Sequence, residues 1–401
     1  MSNKIAGWWD FIRSLGPGLI TAALIFGPSK MTITSKLGAQ YSYELLWIIL
    51  VAIFFMTVFS MLSSRLGYAL DRSLLTVIGE KWGHKTALAV GLGIFVVCAS
   101  FQAGNSVGVG ISLGELTSTP AWLWILTANL ASMALIYWRN RYRMLEQVMM
   151  VLILLMLSCF LITFFIVRPQ PEDIIYGLTP RLPDGSLKLV IAFGASTISI
   201  AAAFYQTYLV QEKRRQNATA PKYQGVTGII ILGLMSAMVL MCAAAVLHPR
   251  QLPVNTATDM SKALLPVFGQ LATGLFLVGL FGASWSSLLG NASLGGTMLS
   301  DALGLGSKME NRPTRLLVIL VMAVGAVVAL LFGKVPLELI VMAQSITVFV
   351  SPFIALAMLL VARDKKLMGD NQLPRWLAVS LAVGIALIVV MAIFNAKTLL
   401  Y

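Results

Sequence analysis

Eleven long apolar runs, separated by short polar segments, constrain this chain more than any other feature of its sequence. A helix needs about 20 apolar residues to cross the hydrocarbon core of a bilayer. The chain has 401 residues, 58% hydrophobic and 11% charged, which leaves little length for a soluble domain. We expect an all-α polytopic membrane protein with about 11 transmembrane helices. The runs lie at about 16–40, 44–67, 86–113, 120–138, 145–167, 188–211, 224–247, 270–299, 314–332, 336–362 and 374–395.

The basic residues predict which side of the membrane each loop faces. Of the 29 lysines and arginines, twenty fall in one set of alternating loops, eight in the other, and Lys30 lies inside a span. Cytoplasmic loops are the ones enriched in Lys and Arg. We expect a cytoplasmic N-terminus, an outside C-terminus and the inner membrane of a bacterium. No nucleic-acid partner is expected, because the basic residues follow topology and no basic stripe is interleaved with exposed aromatic residues.

Lys30 carries the only formal charge that this pattern places deep within a span. It follows a Gly/Pro break, Gly27-Pro28-Ser29-Lys30, in the first apolar run. A charge at that depth is costly unless it faces a cavity or a ligand. Its sign suggests an anionic ligand. A second, proline-free candidate break lies in the sixth run, where residues 193–203 combine glycine, hydroxyl and other small residues.

Several short motifs, in order along the chain, carry a resemblance to a known family. The chain resembles the Nramp divalent-metal transporters, which have the LeuT fold. The resemblance implies two inverted repeats of five helices with helices 1 and 6 broken, at 1–167 and 188–362. Residues 168–187 would form an outside loop, and 363–401 the eleventh helix and C-terminus. The motifs are Gly16-Pro17-Gly18, Leu209-Val210-Gln211, Ser286-Ser287, Ala343-Gln344-Ser345 and Ser351-Pro352-Phe353.

The chain departs from the family at the metal ligands. Metal-transporting members read Asp-Pro-Gly-Asn at the first break, where this chain has Gly27-Pro28-Ser29-Lys30. They read Met-Pro-His-Asn in the sixth helix, where this chain has a stretch close to Ser199-Ile200-Ala201-Ala202. A divalent ion needs strongly donating ligands to offset its lost hydration shell. These changes argue against a metal cargo.

The residues at the two breaks favour a small anion instead. Lys30 offers a compact positive charge, the half-helix beginning there offers unpaired N–H groups, and nearby hydroxyls offer neutral donors. We expect a secondary active transporter of bicarbonate or a small carboxylate working by alternating access, similar to Nramp-related bicarbonate transporters, with Na⁺ or H⁺ as a possible coupling cation. The candidate substrate-binding residues are Lys30, Gly27, Pro28, Ser29, Thr32, Ser196, Thr197, Ser199 and Gln344.

The same residues allow other interpretations. The chain could be a divalent metal-ion (Mn²⁺ or Mg²⁺) transporter of the Nramp type, with Lys30 as a tethered internal cation. It could also be a membrane sensor that uses a transporter fold without transporting. Lys30 could snorkel to a water-filled vestibule, and the hydroxyl residues of the sixth span could only pack helices. We expect no enzyme activity, no cofactor and no catalytic residue, since no nucleophile with a base is evident.

Overall fold

The computed structural model describes residues 26–137, 139–215, 225–332 and 336–400. Within these ranges the chain forms α-helices and short 3-10 turns, with no strand, which confirms the all-α class. In chain order the helices α1 to α17 are Pro28–Tyr41, Leu46–Ala69, Leu74–Trp82, His84–Thr117, Ala121–Leu135, Arg139–Val167, Pro171–Gly177, Leu187–Thr197, Ile200–Arg215, Val226–Val246, Ala257–Ser261, Leu265–Phe268, Leu271–Ala302, Arg312–Leu331, Pro336–Ala362, Lys365–Met368 and Arg375–Leu400.

The predicted second to eleventh apolar runs each coincide with one of these helices or with the pair α8 and α9. Seven described helical segments are long and apolar enough to cross a membrane alone, and up to nine qualify when each of two bent pairs counts as one span. Helix α5 has only 15 residues, and α1 has 14. The first part of the first run, including Gly16-Pro17-Gly18, lies outside the described residues.

The sixth predicted span is broken, as its small and hydroxyl residues suggested. Helix α8 ends at Thr197, and Ile198 leaves the helical conformation with φ −80° and ψ 64° before α9 begins. The hydroxyls of Ser196 and Thr197 both donate to the carbonyl oxygen of Phe193, at 2.9 and 2.7 Å. Such bonds compete with the helical N–H donors for the same acceptor. Both hydroxyls therefore bond the backbone of the last turn of α8, and the helix ends there without a proline.

The described part of the first span begins at its predicted break. Gly27 is the extended N-cap residue, and Pro28 occupies the first turn of α1. Proline fits this position because the first N–H groups of a helix have no intrahelical acceptor. The Met31 N–H donates a helical hydrogen bond to the Gly27 carbonyl, at 3.3 Å. The Gly/Pro sequence thus fixes where the buried half-helix starts.

Small residues allow the central helices to approach closely. A Cβ atom on Gly38 of α1 would lie 2.3 Å from the Leu240 carbonyl oxygen on α10. One on Gly296 of α13 would lie 2.4 Å from the Val318 nitrogen on α14. Small residues at such crossings let backbones meet and drive packing inside membranes. Gly38 and Gly296 therefore have packing roles.

We expect Gly38→Ala to lower the thermal unfolding midpoint of the purified protein in detergent. The added methyl would clash with the α10 backbone, and overpacking of this kind costs about 1–3 kcal/mol. Gly274→Ala on α13 is the matched control, because its Cβ would meet no atom within 4 Å. A Gly38→Ala midpoint equal to the Gly274→Ala midpoint would contradict the close contact of α1 with α10.

Candidate functional site

Lys30 joins the two helix breaks in the membrane interior. It lies in the first turn of α1 and is 1% exposed. Its Nζ donates to the Thr197 hydroxyl oxygen on α8 and lies 4.9 Å from the centroid of the Phe193 ring. The Thr197 hydroxyl in turn donates to the Phe193 carbonyl. A single side chain from the first break is therefore held by the last turn before the second.

Neutral groups of α8 surround the Lys30 Nζ. Its ammonium lies at the C-terminal end of α8, where the helix dipole is negative and favours cations. The face of the Phe193 ring adds a cation–π attraction. Among the described residues, Lys30 forms no ion pair. The break in the sixth span thus provides a local cation environment without a carboxylate.

Gly27 and Pro28 pack against α4 and α13. A Cβ atom on Gly27 would lie 2.8 Å from the Ser287 Oγ of α13 and 3.5 Å from the Asn105 Oδ1 of α4. A Cβ on Gly108 of α4 would lie 2.7 Å from the Pro28 Cβ. A side chain at position 27 would therefore displace the Ser287 hydroxyl, and two side-chain oxygens lie beside the start of α1.

The other five predicted site residues differ in burial and in the partners of their polar atoms. Ser196 is buried and bonds within its own helix, and Ser29 is buried in the first turn of α1. Ser199 is half-buried, and its carbonyl accepts the Ala203 N–H at the start of α9. Thr32 and Gln344 are fully buried, and their side-chain polar atoms have no hydrogen-bond partner among the described residues.

Sequence reasoning assigned no site role to Phe193, Asn105, Ser287 or Gln102. The ring of Phe193 lies four residues before Thr197, a spacing that places both on one face of α8. Gln102 lies on α4, three residues before Asn105. It packs on Gly325, whose Cβ would lie 2.4 Å from the Gln102 Cγ, but neither atom of its amide has a partner within the described ranges. Buried amides are usually paired with protein groups or ordered water.

Tyr208 connects the middle of α9 to α13. Its hydroxyl donates to the Asp301 Oδ2 at 2.7 Å and accepts from the Leu75 N–H at 3.3 Å. Three residues further, the Gln211 side chain donates to the Arg72 carbonyl at 2.8 Å. These bonds hold the second half of the broken sixth span against its neighbours.

Comparisons with a family model and with known relatives point to the same protein family. The sequence profile of the Nramp family, described as natural resistance-associated macrophage protein-like, matches residues 18–400. The divalent metal cation transporter MntH of Deinococcus radiodurans is 26% identical over 88% of this chain and 83% of its own length. MntH of Mycobacterium tuberculosis is 25% identical over 96% and 92%.

Solved structures of transporters have the same fold. The manganese transporter of Eremococcus coleocola superposes with a TM-score of 0.76 at 18% identity, over 96% of this chain and 86% of its own. Mhp1, a nucleobase-cation-symport-1 family transporter, superposes with a TM-score of 0.63 at 14% identity, over 95% and 92%. These likenesses establish the LeuT-like fold expected from the sequence.

The predicted anionic cargo is wrong. Relatives that cover most of the chain are named divalent metal cation transporters, which contradicts bicarbonate or a small carboxylate as substrate and anion symport as the activity. The physical reason lies at Lys30, from which the sign of the cargo was inferred. Its Nζ contacts Thr197 and the Phe193 ring at the end of α8, so it has partners within the protein and does not report the charge of the cargo.

We expect Thr197→Val to destabilise the protein and Thr197→Ser to leave its stability nearly unchanged. Valine keeps the shape of threonine but removes the oxygen that accepts from Lys30, and a hydrogen bond to a charged group contributes about 1.5–3 kcal/mol. Serine keeps that oxygen. Thermal unfolding in detergent measures both variants. Equal midpoints for valine and serine would contradict the Lys30–Thr197 bond.

Proposed function

Because this chain belongs to the Nramp family, we propose that it is a secondary transporter that carries a divalent metal cation, such as Mn²⁺, across the membrane by alternating access. The strongest support for this proposal is that the similarity to metal transporters extends over most of the chain. Relatives named divalent metal cation transporters match it at about 25% identity over most of both chains. As a transporter it would use no catalytic residue.

We propose that neutral oxygens near the start of α1 hold the cation. The Ser287 Oγ and the Asn105 Oδ1 face Gly27, and Thr32 and Gln344 offer buried polar atoms without a described protein partner. The described residues contain no group of three His, Cys, Asp or Glu side chains that could hold a metal. Divalent cations accept oxygen ligands and can keep part of their water shell. A partly hydrated, weakly held ion is therefore the expected form of the cargo.

The charge of Lys30 limits where this cation can sit. Two like unit charges about 4 Å apart repel by about 4 kcal/mol at an effective dielectric constant of about 20. A divalent ion therefore avoids the side of the break where the ammonium contacts Thr197. We place the cargo toward Asn105 of α4 and Ser287 of α13, with α1 between the ion and α8.

We propose that the two repeats, 1–167 and 188–362, move relative to each other around this site, as the LeuT-like fold suggests. The distribution of Lys and Arg supports a cytoplasmic N-terminus and an outside C-terminus in a bacterial inner membrane. Chain segments on the two sides would then differ in charge, with the basic loops facing the cytoplasm.

We expect the purified protein in liposomes to transport Mn²⁺ in response to an inward Mn²⁺ gradient. A metal-sensitive dye inside the liposomes measures uptake, and empty liposomes give the background. Asn105→Ala is expected to reduce the rate at least tenfold, because it removes an oxygen beside Gly27. Ser100→Ala is the matched control on the same helix, since the Ser100 hydroxyl only bonds the Val96 carbonyl. Absence of uptake for Mn²⁺, Fe²⁺, Co²⁺ and Mg²⁺ would contradict the proposed function.

We expect alkaline phosphatase fused after Tyr401 to be active in a bacterial expression host. The same enzyme fused after Arg215 should be inactive. The enzyme folds only on the outer side of the membrane, and the basic residues Lys213 to Arg215 predict a cytoplasmic end for α9. A fluorescent protein that folds only in the cytoplasm should give the opposite pattern. Activity after Arg215 would reverse the proposed orientation.

A further inference from the structure

The last turn of α8 has the properties of a cation site independently of the side chain that fills it. The Thr197 hydroxyl uses its hydrogen to bond the Phe193 carbonyl at 2.7 Å, so its lone pairs are left to accept from a cation. The Phe193 ring face lies 4.9 Å from the same position. The C-terminal end of a helix adds a negative partial charge. All three groups attract positive charge, and all three belong to α8.

The position is also buried and fixed in place. Lys30 is 1% exposed, and Phe193 and Thr197 are likewise buried. The Ser196 hydroxyl also bonds the Phe193 carbonyl, at 2.9 Å, and holds the last turn of α8 in the same conformation. A cation here is therefore bound by preformed groups.

We infer that the break in the sixth span is a binding site for a monovalent cation. The ammonium of Lys30, which belongs to the first span, occupies this site. The charge at this place is then covalently tethered and present in every protein molecule, so no dissociable monovalent ion is needed to fill it. This inference concerns the resident charge alone and does not depend on the identity of the cargo.

A simpler interpretation is that Lys30 fills space with its aliphatic stem. The two interpretations differ in what restores a truncated side chain. Lys30→Ala removes the last three carbons and the nitrogen, which together have the size of n-propylammonium. A cation site should accept n-propylammonium and reject n-propanol, which has nearly the same shape and no charge. A space-filling site should accept both.

The test measures thermal unfolding of the full chain in detergent, with choline chloride holding ionic strength constant. We expect Lys30→Ala to lower the unfolding midpoint, increasing n-propylammonium to restore at least half of the loss, and n-propanol to restore none. The double variant Lys30→Ala with Thr197→Val should not respond. Lys188→Ala, which removes an exposed lysine from the first turn of α8, is the control and should respond to neither compound.

Equal restoration by n-propylammonium and n-propanol, or restoration by neither, would overturn the inference. If Lys30→Ala does not yield folded protein, the same compounds are added during extraction, and the monodisperse fraction is measured by size exclusion. Recovery with n-propylammonium alone supports a cation site, and recovery with both or neither overturns it. Because the readout is stability, a failed Mn²⁺ uptake assay leaves this result unaffected, and the two proposals fail separately.

Discussion

Inside a bilayer, every backbone N–H and C=O group must find a partner within the protein, and the arrangement of this chain follows from that requirement. Long helices meet it through their own hydrogen bonds. Irregular backbone is tolerated only where protein surrounds it, and Gly27 and Ile198 both lie at buried positions. Pro28 begins α1 without needing an acceptor. The breaks are thus confined to the centre, where neighbouring helices cover them.

Breaking a helix in the membrane creates helix ends, and these ends determine what can be buried there. The end of α8 is a place for positive charge, and the side chain of Lys30 reaches it from α1. On its other side the start of α1 packs closely on α4 and α13, where a Cβ atom on Gly27 would lie 2.8 Å from the Ser287 Oγ. The charge, the breaks and the small residues around them therefore form one arrangement.

Much of the fold could be predicted from the sequence, and less of the site. The apolar runs matched the helices because the thickness of a bilayer sets the length of a span. The sixth break was predicted from Ser196, Thr197 and their small neighbours, although proline is absent. The charge of the cargo was predicted wrongly, because Lys30 was treated as free to bind a ligand. The partners of a buried charge are not adjacent in sequence, and Thr197 lies 167 residues away.

By itself, the sequence determined the class, the spans, the positions of the two breaks and the presence of one buried lysine. These follow from local hydrophobicity and from residues that cannot continue a helix. Only the tertiary structure decided that Lys30 is bound by Thr197 and Phe193, and that Asn105 and Ser287 face Gly27. Such contacts depend on how separate helices pack, since the electrostatic environment of a buried group is set by its neighbours in space.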